Sequence, residues 1–387
     1  MNEPKLRFKA DDGSQFPDWE KKPFGDVVSE FKVKTKVEDE DTLLSCAING
    51  VFLNSELFGH QRGQSNVGYL KIKKGTLILS AQNLHLGNAN VNMRFEHGMI
   101  SPAYKTYNIV GCCVEYMNQW VKRDITKQFF YNATTVGASG CRRNVDWEML
   151  YSQLFAVPSL PEQQKIAEFL STIDTVIAKQ KETVSAWEER KKGMMQKLFS
   201  QEVRFKADDG SNFPEWEKKK LGDVCKYRKG QSVGVNYVGT ENMNQNFSGV
   251  DSLDSINEVK GVTYCVGDTL MSNIRPYLKK TWKADRNGVC STDVLVFRPV
   301  NVDSDFLYYN ISSEKFVLYV MTGVKGSKMP RGDKGHIMEY DMLIPCLAEQ
   351  QKIADCLSSL DEVIEKQKAT LAAWEELKKG LLQQMFV

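Results

Sequence analysis

The sequence predicts an α/β (α+β) fold in which two domains of similar fold are separated by an antiparallel two-helix coiled coil. Three observations predict this architecture: a long segment written twice, a short motif written twice, and two strand-rich segments between the repeats. Internal repeats take priority over other signals because a repeat constrains the architecture of the whole chain. Together they indicate an internal pseudo-twofold repeat.

The long repeat covers residues 162–199 and 349–386. The first copy reads EQQKIAEFLSTIDTVIAKQKETVSAWEERKKGMMQKLF and the second EQQKIADCLSSLDEVIEKQKATLAAWEELKKGLLQQMF, with an offset of 349 − 162 = 187 and no gap. Apolar side chains recur at alternating spacings of four and three residues, which is typical of a coiled-coil seam. At about 1.5 Å per residue each helix would be roughly 55 Å long, and each copy is the natural partner of the other. The alternative is a pair of unrelated surface helices.

The predicted seam is apolar with polar interruptions at the same places in both copies. Its principal apolar members are Ile166, Leu170, Ile173, Ile177 and Trp187 in the first copy, and Ile353, Leu357, Leu360, Ile364 and Trp374 in the second. Gln180 and Lys191 interrupt the first seam, as Gln367 and Lys378 interrupt the second. Polar seam residues usually fix the register of a coiled coil at some cost in stability.

A short repeat precedes each half of the chain. It reads RFKADDGSQFPDWE at residues 7–20 and RFKADDGSNFPEWE at residues 204–217, an offset of 204 − 7 = 197. Asp-Asp-Gly-Ser favours a turn, and a residue before proline favours extended backbone. The second short motif follows the first helix, and the first would follow the second helix if the chain ends met. This cyclic order predicts antiparallel helices with one domain at each end of the rod.

The two long segments between the repeats share a pattern of short strands and Gly/Asn turns. Predicted strands are residues 69–72, 76–79 and 107–110 in the first segment, and 269–271 and 294–297 in the second. Each segment ends with an apolar-Pro step into its helix. We therefore divide the chain into a repeat segment at 1–20, a first domain at 21–157, a first spacer helix at 158–203, a repeat segment plus second domain at 204–345, and a second spacer helix at 346–387.

Composition excludes several classes of protein. A chain of 387 residues has room for two or three domains, and it contains no apolar run long enough to span a bilayer and no signal-peptide pattern. Its nine cysteines are scattered without a CxxC pair, which argues against a disulfide framework or a zinc site and predicts a cytoplasmic location. The net charge of +2 is uninformative, because nucleic-acid binding requires basic residues concentrated on one face.

Motifs for catalysis are missing from the sequence. It has no P-loop, no GxGxxG after a strand and no GxSxG. The four histidines lack metal-like spacing, and the carboxylates of PDWEKK at residues 17–22 are too close together for a nuclease centre on two strands. We therefore predict no catalytic residue, no metal ligand and no cofactor in this chain.

Loops that combine amides with basic side chains are the best candidates for a binding site. Arg and Lys read guanine edges, Asn and Gln read adenine, and the cations also bind phosphate. Candidate DNA-binding residues of the first domain are Arg62, Gln64, Ser80, Gln82, Asn83, Arg142, Arg143 and Asn144. Those of the second domain are Arg228, Lys229, Gln231, Ser272, Asn273, Arg275, Tyr277, Lys279, Lys280, Ser327, Lys328, Arg331 and Lys334. For each of them the alternative is a solvated loop with ordinary charges.

The chain resembles the specificity subunit of a Type I restriction–modification enzyme. The resemblance lies in an order of motifs that occurs twice: RF…DG…FP.W, then a variable domain, then Pro…EQQKIA…W…KKG. The resemblance covers the whole chain, and the EQQKIA helices are its most specific part. It implies two target-recognition domains, each reading one half of an interrupted DNA sequence, and helices that space them and dock two methyltransferase subunits. It further implies restriction/translocase subunits as partners, and S-adenosylmethionine, ATP and Mg sites on partner subunits rather than in this non-catalytic chain.

A rival function is a helical-rod adaptor that joins two protein-binding domains without contacting DNA. The near-neutral charge favours this adaptor, whereas the basic-amide loops in both domains, the twofold repeat and the resemblance favour DNA recognition. A self-contained nuclease or methyltransferase is disfavoured, because no metal, phosphate or cofactor motif is present.

Overall fold

The computed structural model describes residues 4–58, 65–136, 143–251 and 257–386. The chain divides into two compact units: Unit 1 is Met1–Lys181 with Ala369–Val387, and Unit 2 is Glu182–Lys368. The division falls within both long helices, so each unit contains one α/β domain and a segment of each helix.

The domain of Unit 1 is built around an antiparallel sheet with the strand order β2-β9-β6-β7. The strands of the unit are β1 (Glu20–Pro23), β2 (Val28–Phe31), β3 (Leu44–Ala47), β4 (Gly50–Leu53), β5 (Leu70–Lys73), β6 (Leu77–Ser80), β7 (Ala89–Val91), β8 (His97–Ile100), β9 (Tyr104–Ile109), β10 (Thr134–Val136), β11 (Arg143–Val145) and β12 (Leu154–Val157). Its helices are α1 (Asn54–Leu57), α2 (Val114–Trp120), α3 (Asp124–Asn132), α4 (Trp147–Ser152) and the first part of α5 (Leu160–Phe199). Two-stranded antiparallel pairs join β1 to β12, β3 to β4, β5 to β8 and β10 to β11.

The domain of Unit 2 repeats this plan with the central strand order β14-β20-β17-β18. The strands of the unit are β13 (Glu217–Lys220), β14 (Cys225–Tyr227), β15 (Gln231–Gly234), β16 (Val259–Tyr264), β17 (Thr269–Ser272), β18 (Thr281–Lys283), β19 (Gly288–Cys290), β20 (Val294–Pro299) and β21 (Asp341–Ile344). Its helices are α6 (Leu221–Val224), α7 (Ser304–Ile311), α8 (Glu314–Thr322), α9 (Lys334–Met338) and α10 (Leu347–Gln384), whose last part belongs to Unit 1. β13 pairs with β21, and β16 lies between β15 and β19. All five strands predicted from the sequence overlap observed strands.

Each central sheet is buried on both faces, because alternate side chains of a strand point to opposite sides. In β6, Leu77 and Leu79 join the core that contains α2, α3 and the long helices, whereas Ile78 joins a second cluster with β5. In β20, Leu295 and Phe297 likewise face the helices while their neighbours face β16 and β19. The helix-facing core of each domain therefore continues into the helix pair and holds the domain on it.

The long helices pack antiparallel within each unit. In Unit 1 Asp174 pairs with Lys378 and Lys181 with Glu375. In Unit 2 Glu188 pairs with Lys368 and Lys191 with Asp361, so in each unit the residue numbers rise along α5 as they fall along α10. Both helices begin two residues before the repeat predicted from the sequence. None of the helices in the described ranges is long and apolar enough to cross a membrane. The two α/β domains and the antiparallel helix pair confirm the predicted fold class.

The seam residues differ in how deeply they are buried. Those buried in the structure are Ile166, Leu170, Ile173, Ile177, Ile353, Leu357 and Ile364. Leu360, Trp187 and Trp374 are partly exposed. The apolar seam is deepest where a domain packs over it, since Leu170 and Leu357 belong to the cores that also include α2 and α7.

The short repeat folds against the start of the long helix that follows it in each unit. The Arg7 guanidinium donates to the fully buried Glu162 carboxylate at 2.9 Å, and Arg204 does the same to Glu349 at 2.9 Å. The amide of Leu6 donates to the Gln384 carbonyl at 2.9 Å. This hydrogen bond places the first short repeat beside the end of α10, as the cyclic order predicts.

Candidate nucleic-acid interface

Two basic loops of Unit 2, predicted separately from the sequence, lie against each other in the structure. Residues 273–280 connect β17 to β18, and residues 323–333 connect α8 to α9. The Arg275 amide donates to the Pro330 carbonyl at 2.8 Å. One surface therefore combines the cations and amides of both loops.

The second of these loops is itself a small hairpin. The amides of Lys325 and Arg331 each donate to the carbonyl of the other residue, at 2.8 and 2.9 Å. It lies between α8 and α9, as the β10–β11 hairpin lies between α3 and α4 in Unit 1. Both domains thus place a hairpin with basic residues at the same point of the fold.

The backbone of the first loop adopts a conformation that most residues avoid. Arg275 and Lys279 have φ of 50° and 55°, on either side of a 3-10 turn at Pro276–Leu278. A left-handed conformation costs a residue with a Cβ atom roughly 1–2 kcal/mol, and such strain concentrates at functional sites. Here it turns the Arg275 side chain outward, and Tyr277 is 47% exposed beside it.

Eight of the predicted residues of Unit 2 lie on its surface. They are Lys229, Gln231, Arg275, Tyr277, Ser327, Lys328, Arg331 and Lys334. Arg331 is 53% exposed and its guanidinium lies 3.3 Å from the Asp293 carboxylate. These groups can reach a ligand without rearrangement of the fold.

Three predicted cations hold the fold together instead. The Arg228 guanidinium donates to the buried Asp268 carboxylate at 2.7 Å. Lys279 donates to Glu314 at 2.6 Å, and Lys280 donates to the Thr240 carbonyl at 2.8 Å. The two lysine contacts fix the end of the loop that carries Arg275 where it enters β18.

Three predicted polar residues face the interior of their domains. Ser80, Ser272 and Asn273 are only 4%, 1% and 7% exposed. The Ser80 hydroxyl accepts from the Asn83 amide at 3.1 Å, and the Ser272 hydroxyl donates to the Ile274 carbonyl at 3.0 Å. Because they lie beneath the loops, these side chains shape the backbone and do not present themselves to a ligand.

Among the described residues, Unit 1 offers a more neutral surface at the equivalent place. Gln82 and Asn83 are exposed in the loop after β6, and Asn144 is exposed on β11. The Arg143 guanidinium donates to the Thr134 hydroxyl and carbonyl, both at 2.7 Å, and lies 4.1 Å from the centroid of the Tyr131 ring. Arg62, Gln64 and Arg142 lie outside the described residues.

Sequence reasoning missed three residues that contribute to the surface of Unit 2. Lys325 is 79% exposed and pairs with Asp333, whose pKa it lowers to about 2 together with backbone hydrogen bonds from α9. The basic run in this loop was the available signal. Asn246 and Phe247, both with positive φ, donate their amides to residues 278 and 279 at 3.1 and 2.7 Å, for which the sequence offers no signal. In the part of the chain that the structure describes, no cluster of His, Cys, Asp or Glu side chains could hold a metal ion.

Sequence comparisons identify relatives of one kind. Residues 214–373 match the family model for the Type I restriction modification DNA specificity domain. The Type I restriction enzyme MjaVIII specificity subunit of Methanocaldococcus jannaschii is 26% identical over 282 residues, which are 66% of this chain and 66% of that protein. The putative MjaX specificity subunit of the same organism is 24% identical over 362 residues, 84% of this chain and 76% of that protein. The match to the first relative thus spans just under two thirds of its length.

Solved structures with the same fold cover nearly the whole chain. The Type I restriction–modification S subunit from M. genitalium superposes with a TM-score of 0.55 at 14% identity, over 100% of this chain and 99% of that one. A chain from a study of complex assembly and conformational transition of the type I R-M system gives 0.53 at 16% identity, over 96% and 98%. At such low identities the structural likeness shows the fold alone. The chain is thus similar in sequence to Type I restriction–modification specificity subunits, and its residues 214–373 match their DNA specificity domain.

Proposed function

We propose that this chain reads a bipartite DNA target, with each α/β domain recognising one half-site and the helix pair setting the spacer between them. The observation that carries the proposal is the surface formed by the two basic loops of Unit 2, mounted on a domain whose fold is repeated in Unit 1. A repeated domain on a repeated helix pair suits a target with two halves, as paired domains do in dimeric repressors.

Reading by Unit 2 relies on Arg275 and Tyr277, which project from the strained turn. A guanidinium can donate two hydrogen bonds to a guanine edge in the major groove. Lys328 is exposed on the neighbouring loop and Lys334 at the start of α9, and both suit contacts to phosphates, which fix orientation and carry no sequence information. Because Gln82, Asn83 and Asn144 supply mostly amides in Unit 1, its half-site would be read differently.

Because this chain would recognise DNA without modifying it, partner subunits would carry out the catalysis. Two methyltransferase subunits would dock on the helix pair, where Glu189, Lys192, Glu376 and Lys379 are exposed off the seam. Restriction/translocase subunits would complete the complex in the cytoplasm. S-adenosylmethionine, ATP and Mg would bind to those partner subunits, and this chain would only position them on DNA.

The test is the methylation pattern of DNA from cells that express this chain with its matching methyltransferase subunit, compared with cells that lack the chain. We expect a new interrupted motif with modified adenines in both halves. If the subunits assemble and no new motif appears, DNA reading is refuted and the adaptor function replaces it.

A further inference from the structure

The polar seam residue Lys378 takes part in a contact that joins three elements of Unit 1. Its ammonium lies 2.5 Å from one carboxylate oxygen of Asp174 on α5. The other carboxylate oxygen accepts a hydrogen bond from the Gln119 side chain of α2 at 2.8 Å. A single aspartate therefore ties both long helices to the recognition domain.

Unit 2 contains the same arrangement at repeat-related positions. Lys191 lies 2.5 Å from one oxygen of Asp361, and the Tyr309 hydroxyl of α7 donates to the other at 2.8 Å. The numbering confirms the relation, because 174 + 187 = 361 and 191 + 187 = 378. The helix pair supplies the same Asp–Lys pair in both units, whereas the domain supplies an amide in one and a phenol in the other.

A second contact attaches the other end of the same domain helix. The side-chain carbonyl of Gln163 accepts from the Cys113 amide at 2.7 Å, just before α2. Its repeat partner Gln350 accepts from the Asp303 amide at 2.8 Å, just before α7. Gln163 and Gln350 are only 1% and 2% exposed.

Two attachment points on one short helix restrict both translation and rotation of the domain against α5 or α10. A slip by one residue along a helix moves a side chain by about 1.5 Å and turns it by about 100°, so neither contact survives it. Successive base pairs are about 3.4 Å apart, so a domain free to slip by two residues could follow a half-site displaced by one base pair.

We infer that Asp174 and Asp361 are positioning residues that hold each recognition domain at one place on the helix pair and thereby restrict the accepted spacer to one length. The inference rests on the proposed reading of a bipartite target. Under this inference the seam lysines Lys191 and Lys378 help to anchor a domain and also fix the register of the helices.

The chain offers a matched control. Glu188 pairs with Lys368 at 3.1 Å, and its repeat counterpart Glu375 pairs with Lys181 at 2.8 Å. These pairs also join α5 to α10, but they lie on the exposed surface of the helices and bridge helix to helix. Removing one therefore weakens the helix pair without releasing a domain.

The experiment uses the assembled complex of this chain with its methyltransferase subunit. Once the methylome has supplied the half-sites, DNA fragments carry them at the native spacer and at spacers one base pair shorter or longer. Tyr309→Phe and Asp361→Asn are compared with the wild type and with the control Glu188→Gln. We expect Tyr309→Phe and Asp361→Asn to reduce the discrimination between the native and altered spacers about tenfold, with both half-sites unchanged. A tenfold loss corresponds to about 1.4 kcal/mol.

Wild-type spacer discrimination in Tyr309→Phe and Asp361→Asn would overturn the inference, and so would an equal loss in Glu188→Gln. Tyr309→Phe removes only the hydroxyl oxygen that donates to Asp361. If the Unit 2 variants do not assemble, Gln119→Met applies the same test to Unit 1. A wild-type complex that produces no interrupted motif at all would instead refute the proposed function, so the two failures are distinguishable.

Discussion

The two recognition domains share their framework and differ in their exposed loops. In both, a central four-stranded sheet packs against two short helices, and an ion pair at 2.9 Å between a half-buried arginine and a buried glutamate fastens the short repeat to its long helix. Unit 2 adds a loop with two left-handed basic residues tied to a basic hairpin, whereas Unit 1 adds the β3–β4 hairpin and an amide-rich loop.

The framework itself contains one asymmetry. In Unit 2 the buried Trp216 indole donates to the Glu349 carboxylate at 2.9 Å, in addition to the bonds from Arg204. In Unit 1 the indole nitrogen of Trp19 is buried and has no hydrogen-bond partner among the described residues. The two copies are thus equivalent in geometry and unequal in the number of bonds that hold them.

The largest effect is expected from changing the scaffold and leaving both domains intact. Deleting one heptad from α5 and the repeat-related heptad from α10 shortens each helix by about 10 Å. We expect methylation at the native spacer to be abolished and a new spacer to appear with both half-sites unchanged, as read from the methylome. Altered half-sites at the old spacer would contradict this division of labour.

Removing the buried glutamates tests the asymmetry of the framework. Glu349→Ala removes one acceptor from the half-buried Arg204 guanidinium and leaves the Trp216 indole without its acceptor, and we expect Unit 2 to lose about 1.5–3 kcal/mol of stability. Glu162→Ala should cost Unit 1 about 1 kcal/mol less, because Trp19 makes no such bond. Hydrogen exchange resolved by unit provides the measurement.

Leu170→Ala and Leu357→Ala are the control for that comparison. Both leucines are fully buried at repeat-related seam positions. Each substitution should cost a similar amount, about 2–5 kcal/mol, since both create a cavity in an equivalent core. Unequal losses of stability would show that the two units respond differently to any buried substitution. The difference between Glu349→Ala and Glu162→Ala could then not be assigned to the tryptophan hydrogen bond.

A smaller effect is expected from a single loop residue. Arg275→Ala should weaken or relax reading of the second half-site alone by about 1–3 kcal/mol. The matched variant Asn83→Ala should affect only the first half-site. Methylation of fragments with single-base changes in either half distinguishes them, and a loss confined to the first half-site for Arg275→Ala would contradict the assignment.

The smallest effect concerns acid sensitivity in Unit 1. Burial raises the pKa of Asp174, but hydrogen bonds from Lys378 and Gln119 outweigh it and leave this pKa below the ordinary value of 3.8. The contribution of the carboxylate is therefore present above that value and is lost as the pH falls through the lowered pKa. Asp174→Asn should cost about 1 kcal/mol or less at pH 7, because the side chain is 36% exposed. The difference from wild type in urea midpoint should vanish below the lowered pKa, and a constant difference would exclude an ionic contribution.

The helical repeat could be predicted from the sequence in detail because its contacts are periodic. Seam residues recur at fixed spacing, so Leu170 and Leu357 are recognisable as core residues without coordinates. Strands such as β6 and β20 were found for a similar reason, since runs of β-branched and aliphatic residues between turns are a local signal.

The candidate site was predicted only as a set of loops. Which of its members face outward depends on contacts between residues distant in sequence. Arg228 is used internally because Asp268 lies beside it, and Asn273 is buried because its loop folds under the hairpin at residues 325–331. Nothing within a few residues of either side chain carries that information.

The sequence alone determined the repeated helices, their antiparallel pairing and the resemblance to Type I specificity subunits, because these depend on local periodicity and on similarity between the two halves. Only the tertiary structure decided which basic residues form a surface, and how Asp174 and Asp361 connect each domain to the helix pair. The physical reason is that hydrogen bonds and ion pairs act over about 3 Å, and folding alone brings residues far apart in the chain within that distance.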